Sequence, residues 1–235
     1  MSEEQQLTAE AVLATIRSRG YWQVQLRPAT FDEKRIGSLS SLEQAIRRAH
    51  VQLRGWDYPH VNPNRDFSRH KDFIQGLVSW GTHHEVWRLY QSAQFVHVFA
   101  MMEDWLAEYT NQYANLKPGE ILEVTSTLWT FTEMFLFFGR LVESLQLTGD
   151  VVVSYRLVGL AGRQLQTLDA RRMPLHEWRK AASDLTEFDD TVTLPAAKLI
   201  GSSAELAVEH AMQLYERFHW QPDRASLVEE QRKLL

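Results

Sequence analysis

The chain has 235 residues, of which 44% are hydrophobic and 23% charged, with a formal net charge of −5 and no cysteine. Such a composition fits one large globular core and excludes disulfides, thiol nucleophiles and thiolate metal centres. The negative charge argues against non-specific binding of nucleic acid by the whole surface.

In chain order, Met1 to Gln6 is acidic and polar, unlike a targeting peptide, and residues 1–6 are expected to form a flexible terminus. Thr8 is a good N-cap for a helix that sets Ala9, Val12, Leu13 and Ile16 on one face and ends at Gly20. Tyr21 to Pro28 alternates Trp22, Val24 and Leu26 with Gln23, Gln25 and Arg27, the pattern of a half-buried strand. Ser40-Ser41-Leu42-Glu43 reads as a capping box for a second helix with Leu42, Ala45, Ile46, Ala49 and Leu53 as its apolar stripe. Residues 17–54 hold eight bases and three acids, so this segment carries +5 and the rest −10. It reads either as a docking face for a protein partner or nucleic acid, or as an ordinary solvated surface.

An unperiodic linker follows from Gly55 to Lys71. Phe73 to Trp80 and Glu85 to Gln91 then read as a strand pair turning at Gly81-Thr82, and Phe95 to Phe99 extends the sheet. Glu103 to Tyr113 is predicted helical, ended by Lys117-Pro118-Gly119. Ser126 to Leu145 is apolar nearly all round, the mark of a helix covered on every side. Its most apolar part, Leu128 to Val142, is interrupted by Thr130, Thr132, Glu133 and Arg140, and it is shorter than the roughly 20 apolar residues of a membrane span. Asp150 to Val158 is predicted to turn through Gly159-Leu160-Ala161-Gly162 into Gln164 to Leu168 as a hairpin. Glu187 to Leu194 reads as another strand, Ser202-Ser203-Ala204-Glu205 as a second capping box, and Leu206 to Phe218 as a last amphipathic helix. Residues 222–235 form a charged tail that frays or docks as a short helix. The expectation is one α+β domain over 1–235, a mostly antiparallel sheet covered by amphipathic helices with one central apolar helix. It is expected to be cytoplasmic, without membrane association.

Nucleotide-binding glycine loops, a nucleophile elbow and HExxH are absent from the sequence. The densest polar chemistry lies in Arg54-Gly55-Trp56-Asp57-Tyr58-Pro59-His60, continued by Arg65. As a pocket rim, Trp56 and Tyr58 would stack a ring, Arg54 or Arg65 would take an anion, and Asp57 with His60 would handle protons or a metal. As a structural clamp, the same rings would plug the edge of the core and Asp57 would cap a turn. His60, His83 and Glu85 are the candidate metal ligands, at a spacing shared by many chains that bind none; no cofactor is expected. Gln91, in Tyr90-Gln91-Ser92-Ala93-Gln94, either reads a polar ligand or satisfies backbone groups at a strand kink. Glu133 is best explained as half of a buried polar pair with Arg140 or as an exposed edge.

The runs Gly55-Trp56-Asp57-Tyr58-Pro59-His60 and Arg88-Leu89-Tyr90-Gln91-Ser92-Ala93-Gln94-Phe95 resemble a poorly characterised group of prokaryotic domains. Members of that group look like stand-alone proteins or partners of a Schlafen/AlbA-type DNA-binding module. The likeness extends from Tyr21 to about Trp220, although this chain has Ala93 where the pattern has Gly and lacks the DNA-binding module. It implies a prokaryotic setting linked to nucleic-acid or defence machinery and supplies no catalytic residues. The function expected is therefore a non-catalytic binding or interaction module, with Arg54, Trp56, Asp57, Tyr58, His60, Arg65 and Gln91 as its contact residues. The alternatives are a metal-dependent hydrolase acting on a phosphodiester or nucleotide, and a structural subunit of a homo-oligomer.

Overall fold

A computed structural model of the chain describes residues 7–61, 67–169, 171, 175 and 179–235. The expected flexible residues 1–6 and the candidate Arg65 lie outside these. The order is α1 (Ala9–Arg17), β1 (Tyr21–Pro28), α2 (Leu39–Ala49), β2 (Val51–Gln52), β3 (Asp57–Tyr58), β4 (Ser68–Arg69), β5 (Phe73–Trp80), β6 (His83–Tyr90), β7 (Phe95–Ala100), α3 (Leu106–Tyr109), β8 (Ile121–Glu123), α4 (Val124–Ser144), β9 (Asp150–Val158), β10 (Gln164–Gln166), β11 (Glu187–Pro195), α5 (Ala196–Gly201), α6 (Ser203–Glu216) and α7 (Arg224–Arg232). The main sheet has seven strands in the order β11-β9-β1-β7-β6-β5-β4, every pair antiparallel. The chain is α+β.

The alternation read in the sequence places Trp22, Val24 and Leu26 of β1 on the face that carries the main core. α4 lies against that face, with Phe131 edge-on to Trp22 at 5.0 Å and Phe137 against Phe95 at 4.8 Å. α2, α5, α6 and α7 pack on its other sides, which is why the helix is apolar all round. Among the described residues, no helix is long and apolar enough to cross a membrane. The opposite face of the sheet carries α1, through Ala9, Val12 and Ile16 on Val86 and Val98.

That layering corrects one expectation. The basic segment 17–54 does not form a single face, because α1, with Arg17 at its end, and α2, with Arg47 and Arg48, lie on opposite sides of the sheet.

Several local readings also shift. The cap of α2 is Ser38, whose Oγ accepts from the Ser41 amide at 3.1 Å, two residues before the box read from the sequence. α5 runs to Gly201, so Ser202 makes no side-chain cap, and the Ser203 hydroxyl donates back to the Leu199 carbonyl. The predicted helix 103–113 breaks into two 3-10 turns around the short α3, because Thr110 adopts an extended backbone and caps Gln112. The Gly159–Gly162 turn makes no hairpin. Both edges of β9 are taken by β1 and β11, so β10 pairs in parallel with β8 instead. The tail docks, with Leu227 and Gln231 of α7 buried and Gln231 Nε2 donating to Thr132 Oγ1.

Between β6 and β7, Ala93 sits at φ +65°, in the left-handed region where Gly is the natural occupant.

Candidate functional site

Strand alternation sends His83, Glu85, Trp87 and Leu89 of β6 to the α4 side, in register with Phe95, His97 and Phe99 of β7. Facing them is the first half of α4. It carries Ser126, Trp129, Thr130 and Glu133 at i, i+3, i+4 and i+7, one polar stripe along one face. The strap 54–58 closes a third side. Together they enclose a cavity of about 780 Å³, within the range that accommodates a small organic ligand. Its rim includes Trp80, 58% exposed, which meets Tyr109 edge-on at 5.6 Å.

The residues singled out in the sequence separate here. Arg54, Trp56, Asp57 and Tyr58 line the cavity, as do His83 and Glu85. Arg54 reaches inward onto the α4 stripe: Nε donates to Glu133 Oε2 at 3.1 Å, Nη1 to Ser126 Oγ at 3.2 Å, and Nη2 to Thr130 Oγ1 at 3.2 Å and to Glu133 Oε2. Glu133 thus pairs with Arg54 and not with Arg140, whose Nη1 donates to the His50 carbonyl. Asp57 and His60 do not form a proton-handling pair. Asp57 Oδ1 accepts from Gln52 Nε2 at 2.8 Å, while the His60 ring stacks on Trp56 with centroids 4.4 Å apart. Gln91 is remote from the cavity: its Nε2 donates to the Ile36 carbonyl at 3.0 Å and its amide to Asp72.

His60, His83 and Glu85 do not converge as metal ligands. Both imidazoles stack on Trp56, His83 at 3.9 Å, and Glu85 turns to other donors. Among the described residues, no group of three or more His, Asp or Glu could hold a metal ion. The strap is therefore both clamp and rim. Tyr58 and Pro59 are buried, and Trp87 Nε1 donates to the His60 carbonyl, whereas Arg54 and Trp56 face the cavity.

The electrostatics are set by carboxylates on the core side. Glu85, 5% exposed, accepts from Trp56 Nε1 and from the His60 amide, each at 3.2 Å. His97 Nε2 lies 2.8 Å from Glu85 Oε2, close enough for an ion pair although the ring N–H is not aligned for a hydrogen bond. Burial alone would raise the Glu85 carboxyl, but His97 and these donors hold it below its ordinary value, so it is anionic. Burial raises Glu133 against the opposing pull of Arg54. Tyr58 is raised well above the usual phenol by burial and by Glu85 and Glu133, and stays neutral.

Among the described residues, six buried polar atoms of cavity-lining side chains have no hydrogen-bond partner: Tyr58 Oη, Glu133 Oε1, Trp129 Nε1, His84 Nε2 and both ring nitrogens of His97. Buried polar groups are nearly always hydrogen-bonded, and leaving one unpaired costs about 1–3 kcal/mol. Further along the cavity Glu103 accepts from the Glu123 amide at 3.3 Å, and burial pushes its carboxyl up to about 7. Glu123 is the N-cap of α4, its carboxylate accepting from the Ser126 amide.

Sequence reasoning missed His97, Glu103, Glu123 and Trp129. The signal available was the polar stripe on α4, four polar or amphipathic residues at helical spacing in a helix rich in Phe, Leu and Thr. Removing the stripe's partner tests the pairing. Arg54→Met is expected to lose about 2 kcal/mol in urea unfolding at pH 8, because a charged hydrogen-bonding partner is lost. The loss shrinks at pH 5, where Glu133, raised further without Arg54, takes up a proton and no longer needs a cation. An equal loss at both pH values would contradict it.

No protein-family model, no curated protein and no solved structure matches the chain.

Proposed function

We propose that this chain is a non-catalytic binding module that holds a small organic ligand in the cavity between α4 and the sheet. The observation that carries this reading is the set of buried polar atoms on lining side chains, Tyr58 Oη and Glu133 Oε1 foremost, that lack a partner among the described residues. Folding does not leave such atoms unpaired without cost, and a bound molecule with polar groups supplies the missing partners. The enclosing elements are long strands and the best-packed helix of the protein, so the site is largely preformed. Its charged groups are committed to one another, Arg54 to Glu133 and His97 to Glu85. An accessory role in prokaryotic nucleic-acid-linked machinery, implied by the resemblance of the strap and the β6–β7 run, suits a module that reports on a small molecule.

The test is thermal unfolding in the presence of a panel of amines, nucleosides, nucleotides, sugars and carboxylic acids, on the wild type and on Ser126→Trp. Ser126 is half-buried on the stripe, so the indole fills the cavity while the packed side of α4 is untouched. At least one class is expected to stabilise the wild type and not Ser126→Trp. If no class distinguishes the two proteins, the binding reading fails.

A further inference from the structure

The cavity carries its own chemical preference. Of its described lining residues six are Asp or Glu and two are Arg, and each Arg already pairs with a lining carboxylate, Arg54 with Glu133 and Arg171 with Asp169. The N-terminus of α4, the one long-helix terminus that opens on the cavity, is occupied by the Glu123 carboxylate. A phosphate or carboxylate ligand would thus meet a capped helix end and guanidinium groups already committed to carboxylates.

The acidic groups fall into two sets. Glu85 and Glu133 lie close enough to raise one another's neighbours, both acting on Tyr58. Glu103 and Glu123 meet through the Glu123 amide. Glu123 and Glu133 stand ten residues apart on α4, about 15 Å at 1.5 Å per residue. Along α4 between Glu123 and Glu133 the lining alternates hydroxyls, Ser126 and Thr130 among them, with the Trp129 ring, and the sheet side adds the rings of Trp22 and Phe99. Carboxylates separated along a channel do not converge on a metal ion, and among the described residues no such cluster exists. They match a long molecule with positive charge at each end and methylenes between, whose charged ends are further favoured by ring faces.

We infer that the cavity binds an elongated organic polycation of the aliphatic polyamine class, with one ammonium at Glu133 and the other at Glu103 and Glu123. This rests on the binding reading above and adds the class of ligand. Glu133 Oε1, the unpartnered acceptor, takes a hydrogen bond from the first ammonium, and the Tyr58 hydroxyl, neutral and unpartnered, completes that end.

The experiment is isothermal titration of the whole chain at pH 8, where Glu103 has released its proton, with spermidine, N1,N8-diacetylspermidine, adenosine and AMP. Spermidine is expected to bind at one site per chain. The diacetyl compound, which has lost both terminal charges, is expected to bind at least tenfold more weakly, and AMP not at all. Glu133→Gln and Glu103→Gln should each weaken spermidine at least tenfold. Glu187→Gln, whose carboxylate pairs with Arg156 on the solvent side of the sheet, should leave it unchanged. Either cavity variant that folds suffices, and the comparison of the two spermidine compounds on the wild type needs no variant. Equal affinity for spermidine and its diacetyl form, or no spermidine binding, overturns the inference. If adenosine or AMP then binds the wild type and not Ser126→Trp, the ligand class is wrong and the binding reading stands. If no compound of any class does so, both fall.

Discussion

Arg163→Met is expected to unfold at a far lower urea concentration than the wild type, with a loss of about 3–5 kcal/mol, the cost of leaving a buried charge without its partner. Arg163 is 1% exposed and grips Asp104 with both ends of its fork, Nη1 to Oδ1 at 2.8 Å and Nη2 to Oδ2 at 2.5 Å. Two further donors go to the Gly159 and Ile121 carbonyls, each at 2.6 Å, and Asp104 also accepts from the Gly20 and Gly119 amides. One ion pair thereby ties the start of β1, the first residue of β8, the turn after β9 and the 3-10 turn after β7. All three nitrogens donate, through four of the five N–H groups, as a buried guanidinium requires. Gly20 is part of the design, because a Cβ there would lie 2.1 Å from Arg163 Nη2. Since domains of this size are stable by about 5–15 kcal/mol, the variant stands near the limit of folding. Arg163→Lys keeps the charge but not the fork, and is expected to fall between the two. A loss below about 1 kcal/mol for Arg163→Met, the value of an exposed ion pair, would show that the clamp does not hold these segments together.

The second large effect is a pH dependence at Glu103. Burial raises this carboxyl from 4.5 to about 7, so the folded protein holds a proton that the unfolded chain has released. The stability associated with the neutral form is fully present below about pH 4.5 and is lost as pH rises through about 7. The shift corresponds to about 3 kcal/mol. Glu103→Gln mimics the neutral carboxyl and keeps an oxygen for the Glu123 amide. Measured by urea unfolding, the variant should match the wild type near pH 4.5 and exceed it by about 3 kcal/mol at pH 8. A constant difference across that interval would mean that Glu103 is not held neutral by burial. The direction is opposite for Glu85, whose lowered carboxyl contributes stability that disappears in acid, so the comparison must be between variant and wild type and not within one protein.

The fold was readable where side chains repeat with the period of the element. β1 alternates, β9 is rich in β-branched residues, and α4 is apolar all round because it is covered on all sides, so the α+β class followed from local pattern. Partnering was not readable. The turn after β9 looks like a hairpin turn until both edges of that strand are seen to be occupied, a fact that rests on residues far away in the chain. The site shows the same division. Arg54, Trp56 and Tyr58 stood out because an unperiodic loop has no reason to carry them, and they do line the cavity. Gln91 stood out on the same grounds and is spent on the main chain. Glu133 was visible as an anomaly, but its partner Arg54 lies 79 residues away, and Arg140, its near neighbour on the helix, drew attention wrongly. Glu103, Glu123 and His97 acquire meaning only through burial, which no spacing rule encodes.

The most direct measurement is a crystal structure of the protein grown with spermidine. The account predicts continuous density through the cavity, with one terminal nitrogen within about 3 Å of Glu133 Oε1. A cavity closed by protein side chains, in which Glu133 Oε1 and Tyr58 Oη hydrogen-bond to neighbouring residues, would contradict it.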